Sequence, residues 1–343
     1  LRSPAFFKAE YDAVVLPNLI TTREAYFRVR RPGRGVALTR AKRAAVWDVV
    51  EAYRARARVD GTVDFGEAAT IAAVHLRRVA QERAEWLADH VLVDEGQDLT
   101  PAHWLLLRSL AGEHDNDLFI AEDSHQRIYG QHVRLSQFGI AIVGRSRRLT
   151  LNYRTTAQNL GYAVGVLSGG AYVDLEEILE KSGGYRSARS GPTPRLLPCG
   201  SLSEELDAAA KLVGEWIGQV DAPETVAVLV RDRFQRDRLV AGLAERGVGV
   251  RAVDREQITP GQPVVMTMHR AKGTEFAKVL LFDVSEDSVP AALRDEKYDE
   301  TAWSDAMLRE RSLVYVAATR ARDELAVSWH GKPSGLLALH VTV

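Results

Sequence analysis

Val91-Leu92-Val93-Asp94-Glu95-Gly96-Gln97-Asp98 is an apolar triplet followed at once by two carboxylates. Three branched aliphatic residues in a row read as a short buried strand, and Asp94 and Glu95 stand where that strand ends. In open parallel α/β sheets the carboxyl ends of strands are where ligands bind. Two adjacent acids there suit a division of labour in which one holds a metal through water and the other polarises an attacking water. A plainer reading is equally available. Asp94–Asp98 could decorate a loop and cap the next helix, because Thr100-Pro101 has the form of an N-cap and first helical residue. The eight residues alone leave both readings open.

Outward from this stretch, strand-like and helix-like segments alternate, which predicts parallel α/β sheets. Residues 1 to about 35 carry Pro4, Pro17 and Pro32-Gly33 and are expected to be irregular. Amphipathic helices are expected from Thr39 to about Arg58 and from Glu67 to Val79. After Val91–Val93 come a helix through Trp104, a second buried strand at Leu118–Ala121, and a strand Leu149–Leu151 leading into a helix that ends near Leu167. Residues 180–203 crowd glycines and prolines together and read as a linker. Beyond them, strands at Val226–Val230, Val248–Val253, Val264–Met268 and Val279–Val284 alternate with helices at 203–219, 233–246 and 305–321, before a last strand around Leu325–Trp329.

Bulk properties narrow the class without choosing a function. The 343 residues suffice for about two domains at the usual ~150 residues each. An apolar content of 46% and a charged content of 27% are ordinary for a globular protein, and a net charge of −1 points to no partner. Eleven Arg and Lys residues between Arg23 and Arg58 face only Glu24, Asp48 and Glu51, a local basic patch that suits either a phosphate backbone or a solvated helix face. The single cysteine, Cys199, excludes an intrachain disulfide and fits a reducing compartment, so a cytoplasmic location is expected. Nine histidines without HxxxH or Cys/His spacing argue against structural zinc. No apolar run approaches the roughly 18 residues of a membrane span.

Four further stretches gather polar residues where an apolar segment ends. They are Asp123-Ser124-His125-Gln126-Arg127-Ile128-Tyr129, then Asn152-Tyr153-Arg154-Thr155, then Thr267 to Phe276 with His269, Lys272, Gly273 and Glu275, and last Leu313 to Arg322 with Arg320. A glutamine can bond a phosphate oxygen, and an arginine presents a planar, always-charged fork suited to phosphate. Taken singly, each stretch is also an ordinary polar turn, a surface arginine or a helix end carrying a favourable cation.

In this order and spacing the five stretches resemble the motor core of UvrD/Rep-like superfamily 1 DNA helicases. That family repeats a pattern close to VDExQD, GDxxQxIY, LxxNYRS, TxHxxKGxEF and LxYVAxTRA; here stand VDEGQD, EDSHQRIY, LTLNYRT, TMHRAKGTEF and LVYVAATRA. The resemblance covers roughly residues 60 to 335. It implies two RecA-like parallel-sheet lobes of the P-loop NTPase type, with the first incomplete and a small helical part at the N-terminus. The expected division is 1–59 as a helical accessory region, 60–147 as a partial first lobe, and 148–343 as the second lobe. The resemblance further implies an ATPase with ATP and Mg2+, moving on single-stranded DNA or at duplex junctions with 3′ to 5′ polarity, and working in DNA repair, recombination or defence with a repair or nuclease partner; the Ala- and Arg-rich, Lys-poor composition suggests a bacterial source. By position, Asp94 would hold Mg2+, Glu95 would activate the attacking water, and Gln126 would sense the γ-phosphate. Arg154 and Arg320 would be arginine fingers. Asp123, Tyr153, Gly273 and Glu275 would line the nucleotide, Glu275 at the ribose, while Tyr129, His132, Thr267 and His269 would lie along the DNA.

The sequence also departs from that pattern. No Gly-x-x-x-x-Gly-Lys-Ser/Thr occurs, and Gly331-Lys332-Pro333 has neither the spacing nor the hydroxyl. With Leu1 in place of a methionine, the expectation is a C-terminal fragment that hydrolyses little or no ATP alone. Only Asp254–Pro263 separate Val253 from Val264, where better-known members insert a domain, so no large inserted accessory domain is expected. Glu122 replaces a glycine, and Gly130-Gln131-His132-Val133 replaces a run containing a base-stacking aromatic, leaving His132 as the stand-in. The missing loop also supports a rival reading, a non-catalytic DNA-binding or scaffolding module that kept the fold.

Overall fold

The computed structural model describes residues 4–31, 34, 37–130, 133–176, 178–180, 183–254, 256–291 and 300–339. Its contacts divide the chain into two compact units. One comprises Leu1–Ser124, Tyr129–Ser146 and Val173–Ile178; the other comprises His125–Ile128, Arg147–Tyr172 and Leu179–Val343.

The first unit opens with helices α1 (Pro4–Glu10), continued by a π-helical turn at Tyr11–Val15, and α2 (Arg23–Arg28). The expected irregularity of residues 1–35 is therefore corrected. Tyr11, Val14, Val15 and Ile20 pack with Tyr26, Val46, Trp47 and Val50 into an apolar cluster, and that burial overrides the scattered prolines. Helix α3 (Arg40–Asp60) is capped by the Thr39 hydroxyl, which accepts from Lys42 N. Helix α4 (Phe65–Arg83) starts in a reciprocal capping box between Asp64 and Glu67. Much of the basic patch is spent inside this unit. Arg31 and Arg34 bracket the fully buried Glu10. Arg43 donates to the carbonyls of Tyr26, Phe27 and Val29, and Arg54 donates to Tyr11 Oη and Ile20 O.

Strand β1 (Val91–Val93) then leads through a 3-10 turn to α5 (Pro101–Arg108), and strand β2 (Leu118–Ile120) pairs with β1 in parallel. Val91 and Val93 face a core containing Trp104, Leu105 and Phe138.

The second unit begins with β3 (Leu151–Thr156) and α6 (Ala157–Val166). Arg154 thus lies within the strand and not beyond it, a correction to the expected end at Leu151. Two short strands come next in the chain, β4 (Tyr172–Val173), whose second residue is counted with the first unit, and β5 (Leu179–Glu180). The presumed linker 180–203 also proves ordered: β6 (Arg186–Arg189) pairs with β3, and β7 (Arg195–Cys199) joins the edge of the main sheet. Pro198 is tolerated there because an edge strand has one side free of ladder bonds.

The rest comprises α7 (Leu202–Ile217), β8 (Val226–Val230), α8 (Arg233–Glu245), β9 (Arg251–Ala252), β10 (Val264–Thr267), β11 (Phe276–Leu281), α9 (Glu300–Thr319) and β12 (Ala321–His330). Six strands form one parallel sheet in the order β7-β12-β11-β8-β10-β9. Side chains alternate across it as the two-residue strand period requires. Ala227, Leu229, Met266, Val279, Leu281 and Val327 pack on one face with residues of α6 and α9. Val226, Val228, Val230, Val265, Leu280 and Ala326 pack on the other with residues of α7 and α8. Both faces are covered, as parallel sheets require.

Candidate nucleotide-handling residues

In the first unit, the polypeptide leaving β1 turns sharply. Glu95 adopts φ 53°, a left-handed conformation costly for a residue with a Cβ. Asp94 Oδ1 accepts from Glu95 N at 2.9 Å, which helps to hold that turn. Both acidic side chains remain exposed. The buried polar side chain of the motif is Gln97, which bridges two loops. Its Nε2 donates to Glu95 Oε2 at 2.5 Å, and its Oε1 accepts from Asp123 N at 3.0 Å. Gly96 N donates to Ala121 O, and a Cβ at Gly96 would lie 3.1 Å from Ile120 Cγ2, so this approach of the two strand ends suits glycine. Asp94, Glu95 and Asp123 are thereby brought to one end of the β1–β2 pair.

The capping alternative is resolved locally. The cap of α5 is Thr100, whose hydroxyl accepts from His103 N while His103 Nδ1 accepts from Thr100 N. Asp94 and Glu95 are not needed for that role. Gln97 was missed as a site residue; the signal was its place in DEGQD, between the acids and the helix.

In the second unit, Arg154, Glu275 and Arg320 come together at the amino ends of β11 and β12. Arg154 Nε lies 2.9 Å from Glu275 Oε2, with both side chains partly exposed. Arg320 is buried. Its Nε donates to Val316 O at 3.0 Å, Nη1 to Thr274 O at 3.2 Å and Nη2 to Thr319 Oγ1 at 3.1 Å. Gly273, at φ 81°, supplies the left-handed turn that precedes Thr274 and Glu275. Strand β3 is fastened beside them, because Thr155 Oγ1 and Asn159 Nδ2 both donate to Ala321 O. Tyr153 is 71% exposed.

Gln126 belongs to the packing of this same unit. Its carbonyl accepts from Lys272 Nζ at 2.9 Å, and its neighbour Arg127 pairs with Asp305 at 2.7 Å. His125 is buried with its ring 4.8 Å from Tyr172 and 6.1 Å from both Tyr185 and Tyr315. Thr267 ends β10 and His269 follows it, at the other end of the sheet from Arg320. Burial first, then the Arg231 charge, lowers the pKa of His269, which favours a neutral imidazole at pH 7. Tyr129 is half-exposed in the first unit. His132 lies outside the described residues.

Asp94 suits Mg2+ better than a metal needing a protein cage. Mg2+ keeps several waters and takes one or two carboxylates plus phosphate oxygens. Among the described residues, the carboxylate and histidine atoms close enough to share one ion are instead those of Glu205, Asp283 and His330. Those three form a hydrogen-bonded network in the second unit. Glu205 accepts from Asp283 N and Ser328 Oγ, His330 Nδ1 lies 2.7 Å from Glu205 Oε2, and Asp283 accepts from Ser285, Gln235 and Arg238.

Fold and residues together define a parallel α/β protein that presents acids and arginines from its strands and the turns beside them. Residues 22–133 match the UvrD/REP helicase N-terminal domain, and residues 255–332 match the UvrD-like helicase C-terminal domain. The chain belongs to the UvrD-like helicase family. A probable DNA helicase of Mycoplasma pneumoniae is 26% identical over 293 residues, which cover 83% of this chain and 51% of that protein. DNA helicase IV of Escherichia coli is 25% identical over 288 residues, covering 80% and 38%. The ATP-dependent DNA helicase UvrD2 of Mycobacterium tuberculosis is 26% identical over 285 residues, covering 81% and 39%. The chain thus spans about half or less of the length of these relatives.

Proposed function

We propose that these 343 residues form part of an ATP-dependent DNA helicase motor that couples hydrolysis to movement along single-stranded DNA in the 3′ to 5′ direction. The observation that carries this reading is the buried Gln97 bridge, which fixes Glu95 and the Asp123 backbone together at one strand end. A merely decorative acidic loop would not need a buried amide holding a carboxylate in place.

In this reading Asp94 would hold Mg2+, which would supply charge neutralisation at the phosphates. Glu95 orients the attacking water and accepts its proton. Asp123 lines the metal side, and Gln126 contacts the γ-phosphate. Arg154 and Arg320 stabilise the charge on the transferring group. The exposed Arg154 exchanges its Glu275 partner for phosphate more readily than the buried Arg320 leaves its three protein acceptors. Tyr153, Gly273 and Glu275 flank the nucleotide, while Tyr129, His132, Thr267 and His269 follow the DNA. The reading carries with it a cytoplasmic location in a bacterium and leaves repair, recombination and defence equally open as the pathway. No described helix is long and apolar enough to cross a membrane.

The phosphate-cradling loop would come from polypeptide outside these residues, so the isolated chain should bind ATP weakly and turn over little. Its absence from the sequence is also the specific support for the rival, a non-catalytic DNA-binding module. Mg-ATPase assays with and without single-stranded DNA separate the two. With a phosphate loop supplied on the same polypeptide, the motor reading expects DNA-stimulated hydrolysis, and the rival expects none while DNA is still bound.

A further inference from the structure

The first unit contains a cavity of about 540 Å3, lined by Leu19, Arg77, Trp86, Arg108, Glu113 and Phe138 among others. That volume is within the usual ~300–1,000 Å3 of small-molecule sites. It lies at the amino ends of β1 and β2. Arg108, at the end of α5, pairs with Asp117 immediately before β2. Asp94, Glu95 and Asp123 stand beyond the carboxyl ends of those strands, about 10 Å away along three strand residues. The cavity is therefore separate from the carboxylate site.

Its two guanidinium groups are held very differently. Arg108 is buried and satisfied, donating to Asp117 Oδ2 at 2.6 Å, Ala111 O at 2.7 Å and Gly112 O at 2.9 Å. Arg77, on α4, has no hydrogen bond or ion pair among the described residues, although its side chain is partly buried. Burial first, and then the neighbouring Arg108 charge, oppose its protonated form, and the Glu113 charge offsets them only in part. Glu113 is the nearby carboxylate, but it is exposed and forms no ion pair with Arg77. A half-buried cation beside a second cation, with no anion in contact, is an arrangement that costs stability unless something compensates it.

Two aromatic side chains also line the cavity. The Trp86 indole lies so close to Gly112 that a Cβ there would approach Nε1 to 2.7 Å, so the backbone at Gly112 positions the ring. Trp86 is 42% exposed, and Phe138 continues the apolar lining.

We propose that this cavity binds a small aromatic anion, with its ring against Trp86 and Phe138 and its carboxylate or phosphate on the Arg77 guanidinium. The planar guanidinium fork suits both head groups, and the aromatic wall selects a flat body over a bare ion.

The test is calorimetric titration of the 343-residue protein with phenylacetate and with phenyl phosphate, using inorganic phosphate and benzyl alcohol as controls. At least one aromatic anion should saturate a single site, and the preferred head group distinguishes a carboxylate from a phosphate ligand. Either control should bind at least tenfold more weakly. Arg77→Met should weaken the aromatic anion at least tenfold without lowering the thermal midpoint, because it removes an unpaired cation. Arg77→Lys, which keeps the charge, should retain most of the binding. Absence of saturable binding by both aromatic anions, or an unchanged affinity in Arg77→Met, would overturn the proposal.

Discussion

At the scale of single residues, the acids of DEGQD matter less as a pair than as acids held by Gln97. Replacing Gln97 by Glu would set a carboxylate against Glu95 and remove the donor that fixes it. In an ATPase-competent protein this should lower kcat on the order of 10²-fold, the usual consequence of small misplacement at a reacting centre. Steady-state ATPase kinetics on the variant check this, and an unchanged kcat would remove the positioning role. A second residue-scale effect concerns Glu205, buried against Asp283 and His330. Burial, the largest influence, raises its pKa despite hydrogen bonds from Ser328, His330 and Asp283 N. A carboxyl whose pKa is higher folded than unfolded stabilises below the unfolded carboxylate range, and that contribution is lost as pH rises through the folded value. The stability of the parent relative to Glu205→Gln should therefore fall as pH rises above about 4.3. Thermal melts of both proteins across pH check it, and a pH-independent difference would contradict it.

At the scale of elements, strands were legible wherever apolar residues ran together, because β8, β10, β11 and β12 are covered on both faces. Helices α3 and α4 were legible from periodicity and α5 from its cap at Thr100, whereas the caps at Thr39 and Asp64 emerge only in the structure. What escaped was set by distant packing. Helices α1 and α2 form because Tyr11, Val14 and Tyr26 bury against Trp47 of α3, a partner no local window contains. Strand β7 forms because β12 offers it an edge, although its own sequence reads as a linker. Leu280 on β11 is fully buried in the α7–α8 face of the sheet. Leu280→Ala should cost about 2–5 kcal/mol in chemical denaturation of the chain. Thr156→Ala, which deletes the hydroxyl capping α6 at Asn159 N, should cost only about 1 kcal/mol. The opposite ranking would mean that the local cap, rather than sheet packing, holds this unit.

At the scale of the whole molecule, the sequence motifs fall into sets built on different scaffolds. Asp94, Glu95 and Asp123 are organised by the β1–β2 pair, whereas Arg154, Glu275 and Arg320 are organised by the six-stranded sheet. The motifs were legible because each occupies a short segment beside a strand. Their internal wiring was not, since the Arg320 bond to Thr274 O and the His125–Tyr172 contact join residues far apart in sequence. The central claim is that Glu95 activates water for ATP hydrolysis. Its most direct measurement is single-stranded-DNA-stimulated Mg-ATPase of these 343 residues joined to a polypeptide carrying the phosphate loop, as parent and as Glu95→Gln. The account predicts that the variant loses about 10²–10⁴-fold in kcat, the range typical of general acid–base catalysis, while still binding Mg-ATP; hydrolysis at the parent rate would contradict it.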